Sequence, residues 1–363
     1  MTLDASVKEA LKLVAYPMVV KDVVTTGIVR QVTASGADVT IDVVLPTMVV
    51  EPQAKAAFLK SISAAAEKVP GVGNVKLDVA VKVASLPAPT DKNRASGVKN
   101  IIAVASGKGG VGKSTVATNL ALALRRWGAK VGLLDADVFG PSVPQMLGAP
   151  QIPPSGTPDK RISPAVFYDI KVMSVAFFVD KDQAVVWRGP MVHKLLEQFL
   201  GDVDWGDLDY LVVDLPPGTG DVQLSLTQLI PLTGAIMVTT PQQVAVIDVV
   251  KAISMFKKVE VPILGVIENM AYYVCPSCGH HDEIFSRGGG RKLAQEVGSA
   301  FLGEIPIDTK VRFGGDTGVP VVVGAPDSEH SRIFMELAAE AAGRMVGRIL
   351  SGPRRAAALT TIR

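Results

Sequence analysis

The feature that most constrains this chain is the stretch SGKGGVGKST, which runs from Ser106 to Thr115. It has the spacing G-x-x-x-x-G-K-S/T of a phosphate-binding loop, it follows an apolar run at 100–106, and it opens a helical pattern at 114–128. Such a loop needs a strand before it and a helix after it, because its backbone N–H groups and the helix N-terminus converge on phosphate oxygens. The stretch therefore predicts an α/β domain that binds ATP.

The predicted nucleotide contacts in this loop are Gly107, Lys108, Gly109, Gly110, Val111, Gly112, Lys113, Ser114 and Thr115. In a loop of this type we expect the ammonium of Lys113 to contact the β- and γ-phosphates. The hydroxyl of Ser114 is expected to ligate Mg²⁺, and Thr115 is placed for the α-phosphate. Lys108 is a second lysine near the start of the loop, where most such loops carry no special charge.

Short apolar runs recur after the loop and predict the rest of this domain. They lie at 130–137, 210–216, 234–241 and 262–270, and helical patterns, such as the one at 243–259, separate them. Strands that are apolar on both faces belong to parallel sheets covered by helices. We therefore predict a doubly wound, mostly parallel sheet over residues 100–350, with its ligand at the carboxyl ends of the strands.

Three carboxylates end two of these apolar runs. Asp135 and Asp137 follow the run at 130–137, and Asp214 ends the run at 210–216. Asp214 fits the acid that organises Mg²⁺ in a phosphate-loop enzyme, and Asp137 is the candidate to orient or deprotonate the attacking water. Asp135 is expected near the Mg²⁺ shell, although an aspartate at this kind of junction also commonly caps a helix.

A smaller α+β domain is predicted for residues 1–85. Its patterns are a helix at 4–15, a strand at 38–45, a helix at 51–69 and a half-buried, antiparallel strand at 74–83. Residues 86–99 are rich in proline, serine and charge and predict a linker, and 351–363 predict a flexible tail.

The charge balance limits the expected partners. The chain has 37 lysines and arginines against 35 aspartates and glutamates, a net charge of +2, which gives no electrostatic indication of a nucleic acid or a membrane as a partner. The first residues do not have the pattern of a signal peptide, and no apolar run approaches the ~18 residues of a membrane-spanning helix. We therefore expect a cytoplasmic protein.

The motifs together resemble a known superfamily. GKGGVGKST with its early Lys108, DAD at 135–137 and DLPPGTGD at 214–221 are similar to the deviant-Walker-A ATPases, which include the nitrogenase iron protein and the MinD and ParA types. The resemblance implies that Lys108 crosses a dimer interface and neutralises phosphate charge on the partner's nucleotide. A second cation near the γ-phosphate would stabilise charge as an arginine finger does, so hydrolysis would depend on dimerisation.

The two cysteines of the chain, Cys275 and Cys278, form the motif CPSCG. Two thiolates on a tight turn bind a soft metal ion or one edge of a cluster. His280 and His281 could complete a zinc site within one chain. Alternatively, two such turns at a dimer axis supply four thiolates, which suit a [4Fe–4S] cluster or a zinc ion equally.

With ENM at 268–270 and CPSCG, residues 98–350 closely resemble the Mrp-type (ApbC-like) iron–sulfur cluster carrier ATPases. The resemblance implies a homodimer with a labile [4Fe–4S] cluster at its interface and delivery to apo iron–sulfur proteins, in contact with cluster assembly factors. Asn269 matches the family position for adenine, and Pro306 lies near the base in relatives. Asn269 could equally be a turn residue at a strand end.

The N-terminal residues resemble the small domain that often precedes such ATPases and also occurs alone in iron–sulfur assembly proteins. Relatives often carry a cysteine after the second strand, and this chain has none there. Two alternatives to cluster carriage stay open. One is a positioning ATPase of the MinD or ParA type, for which apolar residues at helical spacing in 331–350 could form a membrane-binding helix. The other is a P-loop ATPase whose cysteines hold structural zinc.

Overall fold

The structure is a computed structural model that describes residues 2–86, 95–149, 155–157, 161–178 and 189–352. Within these residues the chain divides into two compact units. One comprises Met1–Ala88 together with Ala342–Arg363, and the other comprises Pro89–Ala341. Most of the predicted linker and of the predicted tail, at 87–94 and 353–363, lies outside the described residues.

The first unit is the small α+β domain that the sequence predicts. Its elements are α1 (Leu3–Leu11), β1 (Val29–Ser35), β2 (Asp38–Leu45), α2 (Pro52–Glu67) and β3 (Val75–Val81). The strands form one sheet in the order β1-β2-β3, with β1 antiparallel to β2. The alternation in DVTIDVVL is confirmed, since every second residue of β2 is buried.

The prediction of an antiparallel strand at 74–83 is wrong. β3 runs parallel to β2, in a register from Val39 opposite Val75 to Leu45 opposite Val81. The reason is the connection: a helix of 16 residues, α2, carries the chain back to the end of the sheet where β2 began, and such a crossover produces a parallel pair. β3 also lies at the edge of the sheet, and Val79 and Val81 are 40% and 44% exposed.

The end of the last helix belongs to the core of the first unit. Val346 is buried there beside apolar residues from the two N-terminal helices and the sheet, which include Val7, Leu11, Ile41, Phe58 and Ile62. Met18 lies against Gly343 and Gly347, where a side chain would collide with it. The sequence placed residues up to 350 with the ATPase domain, whereas contacts at this end of the helix are made with the N-terminal residues.

The second unit holds the predicted α/β fold. Its elements are β4 (Val98–Ser106), α3 (Lys113–Arg126), β5 (Val131–Asp135), α4 (Val143–Met146), β6 (Ala165–Phe167), β7 (Ile170–Ser174), a 3-10 turn (Val175–Phe177), α5 (Gly189–Gly201), β8 (Leu208–Asp214), α6 (Asp221–Leu229), β9 (Gly234–Thr239), α7 (Gln243–Lys258), β10 (Ile263–Val274), β11 (His281–Asp282), α8 (Gly289–Glu296), β12 (Phe301–Ile307), α9 (Thr309–Thr317), α10 (Val321–Gly324) and α11 (Glu329–Ser351). The described strands form a nine-stranded sheet in the order β11-β10-β9-β4-β8-β5-β7-β6, and β12 pairs with β10.

The central strands of this sheet are parallel and position the site. β8 lies between β4 and β5, with Asp214 opposite Val104 on one side and Asp135 on the other. Because parallel strands end at the same edge, the P-loop after β4 and the carboxylates that end β5 and β8 become neighbours. The mostly parallel α/β sheet predicted from the apolar runs is confirmed.

Most apolar residues of α11 are buried, which accounts for their helical spacing. Phe334 and Leu337 pack in the second unit, where Trp127 Nε1 also donates to the carbonyl of Met335 at 3.0 Å. Met345 and Ile349 are buried in the first unit. Among the described residues, no helix is long and apolar enough to cross a membrane.

Candidate nucleotide-binding site

The P-loop connects β4 to α3 and depends on its glycines for its shape. Gly110 and Gly112 have φ values of 80° and 81°, which glycine adopts without steric cost. A side chain at Gly107 would fall on the backbone of α7 at Asp248. The helix begins at Lys113, directly after Gly112, so the loop amides and the first N–H groups of α3 form the anion-binding end that the motif predicts.

Lys113 lies at the centre of a cluster of buried charges. Its side chain is 6% exposed, and Nζ lies 2.6 Å from Oδ1 of Asp214 and 3.5 Å from Oδ2 of Asp137. The same ammonium lies 3.3 Å from the hydroxyl of Ser114. The structure therefore brings together the lysine, the serine and two of the three carboxylates that the sequence singled out.

Asp135 is buried behind this cluster and hydrogen-bonds to the loop that follows β5. Its carboxylate accepts from Asp137 N at 3.2 Å, from Val143 N at 3.3 Å and from the hydroxyl of Ser174 at 3.0 Å. Val143 is the first residue of α4, so Asp135 also holds the start of that helix. Ser174, at the end of β7, was not identified from the sequence, since a serine in an apolar strand carries no motif.

Burial shifts the protonation of the buried carboxylates. It raises the pKa of Asp135 to about 8, and the neighbouring charge of Asp214 adds to this rise. Burial also raises the pKa of Asp214, although the ammonium of Lys113 opposes the change. One positive charge thus faces several buried carboxyl groups, and the site favours uptake of a further cation or a proton.

Two buried carboxylate oxygens of this cluster lack a hydrogen-bond partner among the described residues. They are Oδ1 of Asp137 and Oδ2 of Asp214. An unpaired buried acceptor is costly unless a donor or a cation reaches it, and carboxylate and hydroxyl oxygens are the ligands that Mg²⁺ prefers. Oδ2 of Asp214 and the hydroxyl of Ser114 match donors expected for a magnesium ion, and Oδ1 of Asp137 is open to a donor such as water.

Lys108 lies in the P-loop but outside the carboxylate cluster. Its carbonyl accepts from the hydroxyl of Ser106 at 2.9 Å, while its partly exposed ammonium forms no ion pair within the described part of the chain. The carbonyl of Ser106 accepts from Gly218 N at 3.1 Å, which ties the DLPPGTGD loop to the P-loop. The two lysines of the loop thus occupy different environments: Lys113 lies among buried carboxylates, and Lys108 is partly exposed.

Asn269 contacts the P-loop directly. Its Nδ2 donates to the carbonyl of Val111 at 2.9 Å, and a side chain at Gly112 would fall on this amide group. Pro306 follows Ile305, the residue of β12 that lies opposite Asn269. The sheet therefore places both residues named for the base on adjacent strands, and Asn269 is the one that contacts the P-loop.

The neighbour of Asn269, Glu268, is a residue that the sequence reasoning missed. Its buried carboxylate accepts from Gly288 N at 2.8 Å and from Gly290 N at 2.5 Å, and so holds the start of α8. A side chain at Gly290 would crowd Glu268 and Thr239. The available signal was a carboxylate in an otherwise apolar strand together with the three glycines at 288–290.

The cysteine motif forms the turn of a hairpin between β10 and β11. Tyr273 pairs with Asp282 and Val274 with His281, and the turn is closed by Cys275 N donating to His280 O at 2.9 Å. Cys275 is half-buried and Cys278 is exposed. Backbone amides in the turn, first that of Ser277, lower the pKa of the Cys275 thiol, which favours the thiolate that binds metals.

The side chains beside the cysteine turn do not add further metal ligands to the two thiols. His280 and His281 are exposed, and the ring of His281 stacks on Tyr272 at a centroid distance of 5.5 Å. Within the described residues, no three histidine, cysteine or acidic side chains lie together so as to hold a metal ion. The zinc site that His280 and His281 could complete within one chain is therefore not assembled there.

An aromatic and ionic stack supports the base of the hairpin. The guanidinium of Arg287 lies 4.7 Å from the centre of the Tyr272 ring, on the residue that stacks with His281. Arg287 also donates to one carboxylate oxygen of Glu304 from Nε at 3.0 Å and from Nη2 at 2.7 Å. These contacts link the hairpin to β12 and to the segment before α8.

Two family models match the chain, one in each part. Residues 97–342 match the model of the ParA family described as NUBPL iron-transfer P-loop NTPase. Residues 4–77 match an iron–sulfur cluster assembly protein family. The first match covers more than half of the chain and contains the P-loop, the carboxylates and the cysteine turn.

Individual proteins are similar to this chain in sequence or in structure. An iron–sulfur cluster carrier protein of Haemophilus influenzae is 43% identical over 92% of this chain and 89% of its own length. A nucleotide-binding protein of Archaeoglobus fulgidus, solved in complex with ADP, is 39% identical with a TM-score of 0.58 and covers 66% of this chain and 94% of its own. The cell division ATPase MinD of Pyrococcus furiosus is 25% identical with a TM-score of 0.51, over 66% of this chain and 97% of its own.

Proposed function

The chain belongs to the iron-transfer P-loop NTPases, and from this membership we propose that it hydrolyses ATP with Mg²⁺ and carries a [4Fe–4S] cluster to apoproteins. One observation carries the proposal: strand β10 contacts the P-loop at Asn269 and presents the cysteine turn six residues later. A nucleotide site and a thiolate pair on one strand are what a carrier controlled by ATP requires.

The residues of the P-loop have separate roles in the nucleotide reaction that we propose. The loop amides and Lys113 bind the β- and γ-phosphates, and Thr115 binds the α-phosphate. Ser114, Asp214 and, through water, Asp135 would hold Mg²⁺, which would neutralise phosphate charge. Binding of phosphate draws Lys113 away from Oδ2 of Asp137. With its other oxygen, Oδ1, already unpaired, this carboxylate then orients the attacking water and accepts its proton.

A second copy of the chain completes both sites in this proposal. One chain supplies two thiolates, and a symmetric dimer with the two turns at its axis supplies four. Four thiolates hold a [4Fe–4S] cluster, the cargo in this scheme, and the exposure of Cys278 suits transfer to an acceptor. In this dimer Lys108 acts across the interface on the partner's nucleotide, as the deviant form of the P-loop implies; its side chain is partly exposed and forms no ion pair within the described residues.

Anaerobic reconstitution with iron and sulfide tests the cargo. We expect about four irons per dimer and a broad absorption at the blue end of the visible range. Cys275→Ala and Cys278→Ala should lose both signals, whereas Ser277→Ala in the same turn should keep them. A functional assay would follow transfer to an apo [4Fe–4S] enzyme. Tight, stoichiometric zinc that iron does not displace would favour a structural zinc site and reject the carrier function.

A further inference from the structure

We propose that Asn269 is a positioning residue through which nucleotide binding at the P-loop changes the position and the solvent exposure of the Cys275–Cys278 turn. The inference rests on the proposed function only in assuming that nucleotide binds at the P-loop. In this inference, the side chain of Asn269 links nucleotide binding to the cysteine turn. The contacts on each side of Asn269 support this link.

The contact on the P-loop side involves one peptide unit. Asn269 is 8% exposed, and its Nδ2 donates to the carbonyl of Val111 at 2.9 Å. The N–H of Gly112 belongs to the same peptide plane as that carbonyl. In a phosphate loop such N–H groups turn toward phosphate oxygens, so a rotation of this peptide necessarily moves the carbonyl that Asn269 holds.

The contact is also steric. Gly112 has a φ of 81° and no Cβ, and a Cβ there would fall on the amide group of Asn269. The side chain of Asn269 therefore contacts two consecutive residues of the loop and has little room to let the loop move without moving itself. The bond from Nδ2 leaves Oδ1 as the acceptor for an adenine amino group. Asn269 can therefore hold the P-loop and contact the base at the same time.

Upstream of Asn269 the strand is firmly held. The carboxylate of Glu268 accepts two backbone hydrogen bonds at the start of α8, and Glu268 itself pairs with Thr239 in β9 and with Glu304 in β12. A displacement at Asn269 therefore meets resistance on this side. Its effect is expected in the other direction, toward the cysteines.

Downstream of Asn269 the pairing with β12 is interrupted. Asn269 lies opposite Ile305 and Tyr273 opposite Ile307, so β10 has two more residues than β12 in this interval. Met270 in this bulge has a φ of 56°, a backbone conformation that residues other than glycine rarely adopt. Such bulges re-aim the strand that follows, here the strand that enters the hairpin.

Beyond the bulge, hydrogen bonds hold the hairpin together as a unit. Val274 pairs with His281, Cys275 N donates to His280 O, and Gly279 N donates to Cys275 O at 2.8 Å. These bonds fix the two cysteines relative to the strand. A change in direction of β10 at Met270 is therefore a change in the position and exposure of both thiols.

Thiol alkylation of the metal-free, full-length protein tests the link. The chain has only two cysteines, so iodoacetamide labelling followed by mass spectrometry reports on this turn alone. We expect saturating Mg·ADP to change the labelling rate by about fivefold, the effect of coupling through one hydrogen bond. In Asn269→Ala, with nucleotide again saturating, the ratio of rates with and without nucleotide should fall close to one.

Asn119→Ala is the matched control. Asn119 is also buried, and its Nδ2 donates to a backbone carbonyl in the helix after the P-loop, that of Thr115, at 2.9 Å, while its Oδ1 accepts from Val322 N. None of these partners lies on β10, so this variant should keep the wild-type ratio. A loss of packing alone would alter the basal labelling rate, whereas the proposal concerns the response to nucleotide.

The experiment is run at a protein concentration at which the chain is monomeric. A nucleotide effect that vanishes there, or that persists unchanged in Asn269→Ala, would overturn the proposal. Because no metal is present, the outcome is independent of whether the cysteines hold an iron–sulfur cluster or zinc. Failure of the carrier function and failure of the Asn269 link are therefore distinguishable.

Discussion

Nζ of Lys113 lies 2.6 Å from Oδ1 of Asp214, although the two residues are 101 positions apart in the chain. Both side chains are buried, so the lysine expected to bind phosphate is held by a carboxylate of its own chain. Phosphate must compete with this pair for the ammonium. The same exchange would free carboxylate oxygens for a metal ion, which links nucleotide and Mg²⁺ binding.

Substitution of Lys113 should weaken nucleotide binding strongly. Lys113→Met keeps most of the length of the side chain but removes the ammonium, and loss of a charge-assisted hydrogen bond costs about 2–3 kcal/mol, or about 30- to 150-fold in affinity. Titration calorimetry with Mg·ATP measures the effect. Lys130→Met, which removes an exposed ion pair with Asp207, should leave the affinity unchanged. Equal affinities in wild type and Lys113→Met would contradict the assignment.

Substitution of Lys108 should spare binding and reduce turnover. If the lysine acts across the dimer, a mixture of Lys108→Ala and Lys113→Met subunits should regain activity. In the mixed dimer the nucleotide of the Lys108→Ala subunit receives Lys108 from its partner, and random pairing predicts about a quarter of wild-type turnover. The measurement is the rate of phosphate release by the mixture, compared with the rate of each variant alone. A mixture as inactive as its components would place Lys108 in its own site.

Asp135 should make the stability of the nucleotide-free protein depend on pH. Its pKa is raised from 3.8 to about 8 in the folded state, so the native state binds a proton that the unfolded state releases. Its contribution to the free energy of unfolding is therefore present at low pH and is lost between about pH 4 and about pH 8.

Urea unfolding at about pH 5 and about pH 8 measures this contribution. Tryptophan fluorescence reports on the second unit, since all tryptophans of the chain lie within 89–341. Wild type should lose more stability than Asp135→Asn over this range. The reverse order, or parallel losses in the two proteins, would show that Asp135 is ionised throughout.

Val346 should stabilise the N-terminal unit despite its distance in sequence. Val346→Ala removes two methyl groups from the core of that unit and should cost about 2 kcal/mol. Amide hydrogen exchange of residues 28–45 should then be faster. Arg348→Ala, on the exposed side of the same helix, is the control and should leave exchange unchanged. Faster exchange in α11 without any change at 28–45 would argue against the packing role.

The local features of this protein were readable from its sequence. The P-loop, the parallel strands and the acids at their ends follow patterns of spacing and polarity that act over a few residues. The direction of β3 was predicted wrongly, because alternation in a strand reports which face is buried and is silent on which way the neighbouring strand runs. That direction is set by the crossover through α2.

The sequence by itself thus determined the chemistry present: a phosphate loop with two lysines, three strand-end carboxylates and one pair of cysteines. Only the tertiary structure decided how these groups are connected. Lys113 meets Asp214, Ser174 meets Asp135, and Asn269 meets Val111 across separations of 101, 39 and 158 residues. Each contact depends on which strands lie side by side in the sheet, and strand order arises from packing the whole chain rather than from any local pattern.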